Sequence, residues 1–475
     1  MKVLKVISKL NKVDRNRLLR FIKSPYFNSN EELIAAYSFI DESLRLDRTI
    51  SKEVIWQKVY KKRPYEDTTL RKLLSDMITL TEEFLAFEKL KENKLLKSIL
   101  GYEKAKALEI EDLTKSMENK IAKSLDQFPL RNSDYFYVSN RFLKAKLDVS
   151  KYARSGELKQ GIPEEIQRFI HNADVAYHAD MLRIISKIQN LSYLTAVDVD
   201  MTMHDHVLDQ ANSDKIKDVP IIQLYLNAVQ LYTPEMEEGI DEFVGTFFQY
   251  KDYLDQSEVK DLFEDYLNYY TIQINRGRSE YFKNLFDLYN EGLSSDLIIN
   301  FTPTTYRNIS MVAARVKQFE WALKFIEEYK EKLSPADRDS AYSFNKARVY
   351  GNMKDWDNVV ETLRNVEYED LTYNLNSKLI LMIAYYELEE FLVLDSFMKS
   401  FKVFLRRRRN IPKARKEAFL GFTNVLSNIV KADDRMDKKR IVSAQQMLDE
   451  NPSIPNKAWL REKIQKTTDS IGVAI

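Results

Sequence analysis

The chain has 475 residues, 44% apolar and 31% charged, a globular balance long enough for several domains or one repeat array. It has no cysteine, so disulfides, thiol nucleophiles and thiolate metal sites are excluded, and its 10 glycines and 11 prolines leave few β-turns. A net charge of +1 conceals segregation: residues 1–150 carry 30 Lys/Arg against 22 Asp/Glu, residues 151–300 carry 13 against 26, and residues 301–475 carry 30 against 24. Basic ends around an acidic middle bear on partners, not on fold.

Lys5 and Lys9 interrupt any apolar core of a signal segment, and the longest apolar run, Leu379 to Tyr386, has 8 residues, far short of a membrane span. A cytoplasmic chain without a membrane partner is expected. Asn28-Ser29-Asn30 before Glu31-Glu32 predicts a capped helix with the apolar face Leu33, Ala36, Tyr37 and Ile40. Ser51 opens a shorter helix through Val54, Ile55 and Val59, closed near Arg63-Pro64. Asp67 reads as the cap of a long helix whose Leu70, Leu73, Met77, Leu80, Phe84 and Phe87 step by three and four, as in a bundle core.

Residues 95–155 read as two further helices, broken at Gln127-Phe128-Pro129 and ended near Gly156. Pro163, Pro234, Pro303 and Pro335 mark helix starts, and Ser334-Pro335-Ala336-Asp337 has the form of a capping box with Asp in place of Glu. Asp198 to Met203 alternates in isolation and reads as a loop. No strand pairing is predicted; the class is all-α.

From about residue 220 the helices fall into hairpins. Second helices start at Glu320, Asp357 and Phe391, which puts Ala322, Val359 and Leu394 in one slot at spacings of 37 and 35 residues. Weaker units precede them at Ile240 and Phe282. Such periods mean stacked units, none of which buries its apolar face alone.

These units resemble the tetratricopeptide repeat, well over residues 303–410 and loosely over 220–300. Tyr306, Ile309, Ser310, Ala322 and Ile326 fill the first unit's slots, with Pro335 one residue past the usual proline. Ala347, Tyr350 and Leu363 fit in the second unit, where Ser343 and Lys346 depart. Leu381, Tyr385 and Met398 fit in the third, where Lys378 and Met382 depart.

The expected architecture is an N-terminal helical bundle, read from its residues, followed by a right-handed superhelical array of antiparallel helical hairpins, as the resemblance implies. Its groove would hold a peptide or helix of a protein partner against Arg307, Met311, Arg315, Phe344, Arg348, Leu379 and Ile383. The family's binders of chain-terminal carboxylates use Lys, Asn and Arg. Arg307 and Arg348 suit that part, while Met311 stands in a slot where those binders place Asn. Residues 1–155 are expected to form the bundle, 156–302 an irregular acidic hairpin region, and 303–475 the repeats with C-terminal capping helices.

No catalytic constellation appears. His171, Asp174 and His178 share one helical face, and His204-Asp205-His206 lies among acids, but no HExxH or similar spacing accompanies them. Phosphate-cradling glycine loops and a GxSxG elbow are absent, so no metal, cofactor or enzymatic activity is expected. The sharpest local feature is basic: Lys402, Arg406, Arg407, Arg408, Arg409, Lys413, Arg415 and Lys416 set eight positive charges within 15 residues. They either meet an anionic partner or complement a helix C-terminus.

A second basic segment, residues 1–72 with 17 Lys/Arg and 9 Asp/Glu, contains a helix–turn–helix pattern within residues 51–90. Thr68, Thr69, Arg71 and Lys72 would then meet nucleic acid, although the turn is long and no wing follows. The expected function is a non-enzymatic adaptor. The alternative is a nucleic-acid-binding transcriptional regulator with the helical repeats as sensor or dimeriser.

Overall fold

The computed structural model describes the whole chain except residues 156, 160, 196, 198, 201–203, 233–238, 299–300, 365, 367–369 and 473–475, and only the backbone of residues 149, 153, 158 and 194. The helix end at Gly156, the start at Pro234 and most of the alternating stretch (Asp198, Met201, Thr202 and Met203) lie outside the described residues. The described residues form 24 α-helices and no strand, so the chain is all-α. Among them no helix is long and apolar enough to cross a membrane.

Two compact units emerge: Met1–Gln230 with Gly239–Asp255, and Leu231–Glu238 with Gln256–Ile475. Neither 155 nor 302, the boundaries drawn from charge and helix breaks, is a border between them. Packing crosses both positions, because charge composition does not decide which apolar faces meet.

The first unit begins with α1 (Lys2–Ile7), α2 (Lys12–Ile22), α3 (Glu31–Arg45), α4 (Lys52–Tyr60) and α5 (Asp67–Glu92). Asn30 caps α3 through the N–H groups of Glu32 and Leu33, and Ser51 caps α4 through that of Val54. Leu33, Ala36, Tyr37 and Ile40 are buried against Leu70, Leu73 and Met77 in one core, each large apolar side chain contributing about 1.5–3 kcal/mol. Asp41 is buried there too, 3.1 Å from Arg15 and 2.6 Å from Arg45. Asp67 does not cap α5: it is the first helical residue, and its carboxylate accepts from Lys52 at 2.7 Å and from the Tyr65 hydroxyl at 2.9 Å.

The two helices expected over 95–155 are four: α6 (Lys94–Ala107), α7 (Glu111–Asp126), α8 (Ser133–Lys146) and α9 (Val149–Ser155). Glu109 turns left-handed, at φ 56°, and ends α6, with the Ile110 N–H returned to the Ala105 carbonyl at 3.1 Å. Asp148 starts α9 by accepting the Ser150 N–H at 3.0 Å. Next come α10 (Glu164–Thr195), α11 (Asp205–Ala211), α12 (Pro220–Gln230) and α13 (Ile240–Tyr250). Packing of α10 against both α8 and α12 joins residues on either side of 155.

The second unit holds α14 (Gln256–Asn275), α15 (Tyr281–Ser294), α16 (Pro303–Arg315), α17 (Phe319–Tyr329), α18 (Pro335–Met353), α19 (Trp356–Leu363), α20 (Leu371–Glu387), α21 (Phe391–Arg407), α22 (Lys413–Arg435), α23 (Lys438–Glu450) and α24 (Lys457–Ile471). Consecutive helices pack from α14 to α24. In addition α16 meets α18, α18 meets α20, and α22 meets α24. Pro303 and Pro335 occupy the first helical turn as expected. Ser334 does not complete a capping box, because its hydroxyl donates to the Asp337 carboxylate at 2.8 Å instead of accepting a backbone N–H.

From α14 to α22 every second helix ends in the same way, and α15 does too, where Asp296 has φ 53° and the Leu297 N–H bonds to the Gly292 carbonyl at 2.8 Å. Gly277, Lys317, Lys354, Glu389 and Met436 close α14, α16, α18, α20 and α22, with φ of 93°, 63°, 60°, 59° and 52°. The following N–H groups bond back five residues: Arg278 to Gln273 at 3.2 Å, Gln318 to Ala313 at 2.9 Å, Asp355 to Tyr350 at 3.0 Å, Glu390 to Tyr385 at 2.9 Å and Asp437 to Ala432 at 2.9 Å. This left-handed stop satisfies orphan carbonyls and turns the chain within three or four residues after α16, α18, α20 and α22, and within six after α14. Inside the hairpins Ala322, Val359 and Leu394 are all completely buried, and the Tyr306 hydroxyl donates to the Ile326 carbonyl at 2.5 Å.

Candidate functional site

Arg307, Met311 and Arg315 lie on α16, Phe344 and Arg348 on α18, and Leu379 and Ile383 on α20. The last two do not face a groove. Leu379, Leu381, Met382, Ile383, Ala384 and Tyr385 are all buried, since a helix apolar all round is covered all round. Phe344 is also buried, its ring set edge-on to Tyr373 with centroids 5.0 Å apart. Met311 and Arg315 are exposed, and Arg315 lies over the Phe282 ring at 5.7 Å.

Arg307 and Arg348 form the unusual part of this set. Both are half-buried, and neither has an ion-pair or hydrogen-bond partner for its guanidinium among the described residues. Arg348 rests over the Phe344 ring at 5.7 Å. Its pKa is pushed below the ordinary arginine value by burial, then by the nearby Arg307 charge. Burial raises the Tyr373 hydroxyl, while Arg307 pulls it down and the Asp370 and Asp337 carboxylates push it up. Two cations and a phenol on α16, α18 and α20 thus share one region. Tyr373 was missed from sequence because the repeat slots used to find groove positions began later in α20.

The basic run lies on α21, α22 and the link between them. Arg406, Arg407, Arg408 and Arg409 are exposed, and none donates a side-chain hydrogen bond to a helix carbonyl, so side-chain capping of α21 is not their role. Arg406 and Arg407 still occupy its last turn, where the dipole favours cations. Lys413 is exposed and 3.9 Å from Glu417, and Arg415 and Lys416 are half-buried. Ile411 is buried in the main core of the unit and anchors the connecting segment.

The N-terminal candidates are engaged with acids. Thr68 and Thr69 donate to Glu66 at 3.1 and 2.8 Å, and Arg71 is 2.5 Å from Asp67. Lys72 alone of the four has no such contact among the described residues. Both α4 and α5 pack on α3. The end of α5 offered to a nucleic acid therefore carries two carboxylates, which repel phosphate.

His178 is buried, with its Nδ1–H donating to the Asp174 carbonyl at 2.7 Å. No group of three or more His, Asp or Glu among the described residues is arranged to hold a metal. Among the described residues the first unit has clefts that sequence reasoning missed, one of them between α8 and α10. Tyr137, Asn140 and Tyr177 line it beside the two-pronged Arg141–Glu103 pair, both contacts 2.8 Å. The Asn140 carbonyl oxygen is buried there without a partner, a signal that exists only once α8 and α10 are packed.

Compared with family models, curated proteins and solved structures, the chain matches none.

Proposed function

We propose that the chain is a non-enzymatic cytoplasmic scaffold that holds a segment of a partner protein against α16 and α18. In this reading the second unit is a tetratricopeptide-like, right-handed superhelical array of antiparallel hairpins, with its C-terminal helices as the cap. Support comes from the contacts of α16 with α18 and of α18 with α20, and from the shared left-handed stop of α14, α16, α18, α20 and α22, which α15 has as well. The observation that carries the function is the Arg307–Arg348 pair. Half-buried like charges without a counter-ion destabilise a fold, and an anionic group on a ligand relieves that repulsion. Met311, 39% exposed between them in sequence, offers an apolar contact alongside.

The test is affinity capture from the native cell with the parent chain and with an Arg307→Glu, Met311→Glu variant. Met311 is exposed and half-buried Arg307 has no hydrogen-bond or ion-pair partner to lose among the described residues, so the variant is expected to keep the parent's helical circular dichroism. A protein enriched by the parent and lost at least tenfold by the variant supports the reading. Equal enrichment by both contradicts it. The regulator alternative draws no support from Thr68, Thr69 and Arg71, which are occupied by Glu66 and Asp67.

A further inference from the structure

We propose that the surface formed by the end of α21, the start of α22 and the segment between them binds the phosphodiester backbone of a nucleic acid without reading its bases. This surface is separate from Arg307 and Arg348 and does not rest on the scaffold reading.

The charge there is nearly unopposed. From Phe391 to Lys416 the chain carries nine Lys/Arg and one acid, Asp395, which is paired with Lys399 at 2.6 Å. From Arg406 to Lys416 the one ion pair among the described residues is the long Lys413–Glu417 contact. Burial, then Lys431 on α22 and Arg406, holds the Lys402 ammonium below the ordinary lysine value. Cations from two helices thus converge. The presentation is also firm, since buried Ile411 and the fixed backbone of Pro412 tie down the segment that carries Arg408 and Arg409.

The class of ligand follows from what accompanies the charge. Protein-interface hot spots are enriched in Trp, Tyr and Arg, the aromatic members supplying the packed contact area, and from Leu394 to Arg435 the chain has arginines but no Trp or Tyr. Between Leu394 and Arg435, Val403 is the one exposed large apolar side chain. Phe404 is half-buried with Lys378 at 5.5 Å and Arg408 at 5.3 Å from its ring centre, which makes it a poor platform for base stacking. What remains is guanidinium and ammonium groups, which suit phosphate oxygens, the arginines in two-pronged fashion. A nucleic-acid duplex supplies about one charge per 1.7 Å of axis in a preformed array, whereas an acidic peptide must first be ordered.

The experiment measures binding of the full chain to a short DNA duplex, a single-stranded RNA of equal length and poly-glutamate, between about 50 and 200 mM salt. The variant is the quadruple Arg406→Gln, Arg407→Gln, Arg408→Gln, Lys413→Gln, all exposed positions, checked for unchanged helical circular dichroism. The expected result is nucleic-acid binding at low salt, a steep fall with salt, and at least tenfold weaker binding with a shallower salt slope in the variant. Preference for either nucleic acid supports the proposal and names its form. Three results overturn it: no nucleic-acid binding at about 50 mM salt, poly-glutamate bound as tightly as nucleic acid, or full binding by the quadruple variant. Should Arg71→Gln with Lys72→Gln abolish binding while the quadruple variant keeps it, the surface lies in the first unit and the proposal is wrong.

Discussion

Two groups of arginines in the second unit lack counter-ions among the described residues, and their surroundings give them opposite properties. Arg307 and Arg348 sit half-buried beside Phe344 and Tyr373, where salt screens little and each charge acts on its neighbour. Arg406 to Arg409 stand in water, where charges are screened and cost little to leave unpaired. The first arrangement strains the fold and suits one ligand geometry. The second leaves the fold alone and suits any dense array of negative charge. A third cation sets the scale: Lys463 is buried but answered, 2.8 Å from Glu387, which also accepts the Trp459 indole N–H at 2.6 Å.

Breaking that answered pair should have the largest effect. Glu387→Gln leaves Lys463 with only the exposed Glu462 and is expected to lower unfolding stability by about 2–3 kcal/mol, somewhat under the usual loss for a broken buried pair. Chemical denaturation followed by tryptophan fluorescence measures it, and a loss below about 0.5 kcal/mol would put Lys463 among the surface cations. The same pair has a pH signature. Burial pushes the Lys463 ammonium down, but its hydrogen bonds to Glu387 and Glu462 outweigh this and raise it above the ordinary value. The folded pKa therefore exceeds the unfolded one. The pair's contribution is complete below the unfolded pKa and is lost as pH rises through the folded value, so a stability profile on the alkaline side should fall earlier in the parent than in Lys463→Met.

Next in size is Gly292→Ala. A Cβ at Gly292 would lie 2.2 Å from the buried Phe263 ring, so α14 and α15 must part, at a cost of about 1–3 kcal/mol. No change in the thermal midpoint would show that this hairpin is looser than its packing implies. Arg348→Met runs the other way: it removes a half-buried charge facing Arg307 and keeps the apolar stem, for a gain of about 1 kcal/mol. Smallest of all is the change expected from the quadruple Arg406, Arg407, Arg408 and Lys413 variant, within about 0.5 kcal/mol of the parent. A larger loss there would mean that these cations hold α21 to α22, and the contrast between the two arginine groups would narrow.

Local chemistry was legible in the sequence in part, since Asp67 and Ser334 do not cap the helices they precede or open. Asn30 and Ser51 cap helices as their identities suggest, Pro303 and Pro335 start them, and second helices begin one residue before Glu320 and Asp357 and at Phe391 itself. The left-handed stops were not legible. Apart from Gly277 they fall on Lys317, Lys354, Glu389 and Met436, residue types that announce no such conformation and hold it because packing and the returning N–H require it. Of the candidate groove, Arg307, Met311, Arg315 and Arg348 have surface to offer. Leu379 and Ile383 were misplaced although the apolar run Leu379 to Tyr386 carried the correct message, a helix buried on every side. Pairings such as Thr68 and Thr69 with Glu66 depend on rotamers at a helix start, which spacing alone does not specify.

The most direct test of the central claim is partner capture by Arg348→Met, measured on protein whose thermal midpoint equals or exceeds the parent's. The account predicts a variant at least as stable that loses the parent's enriched partner tenfold or more. Undiminished capture by that variant would contradict it.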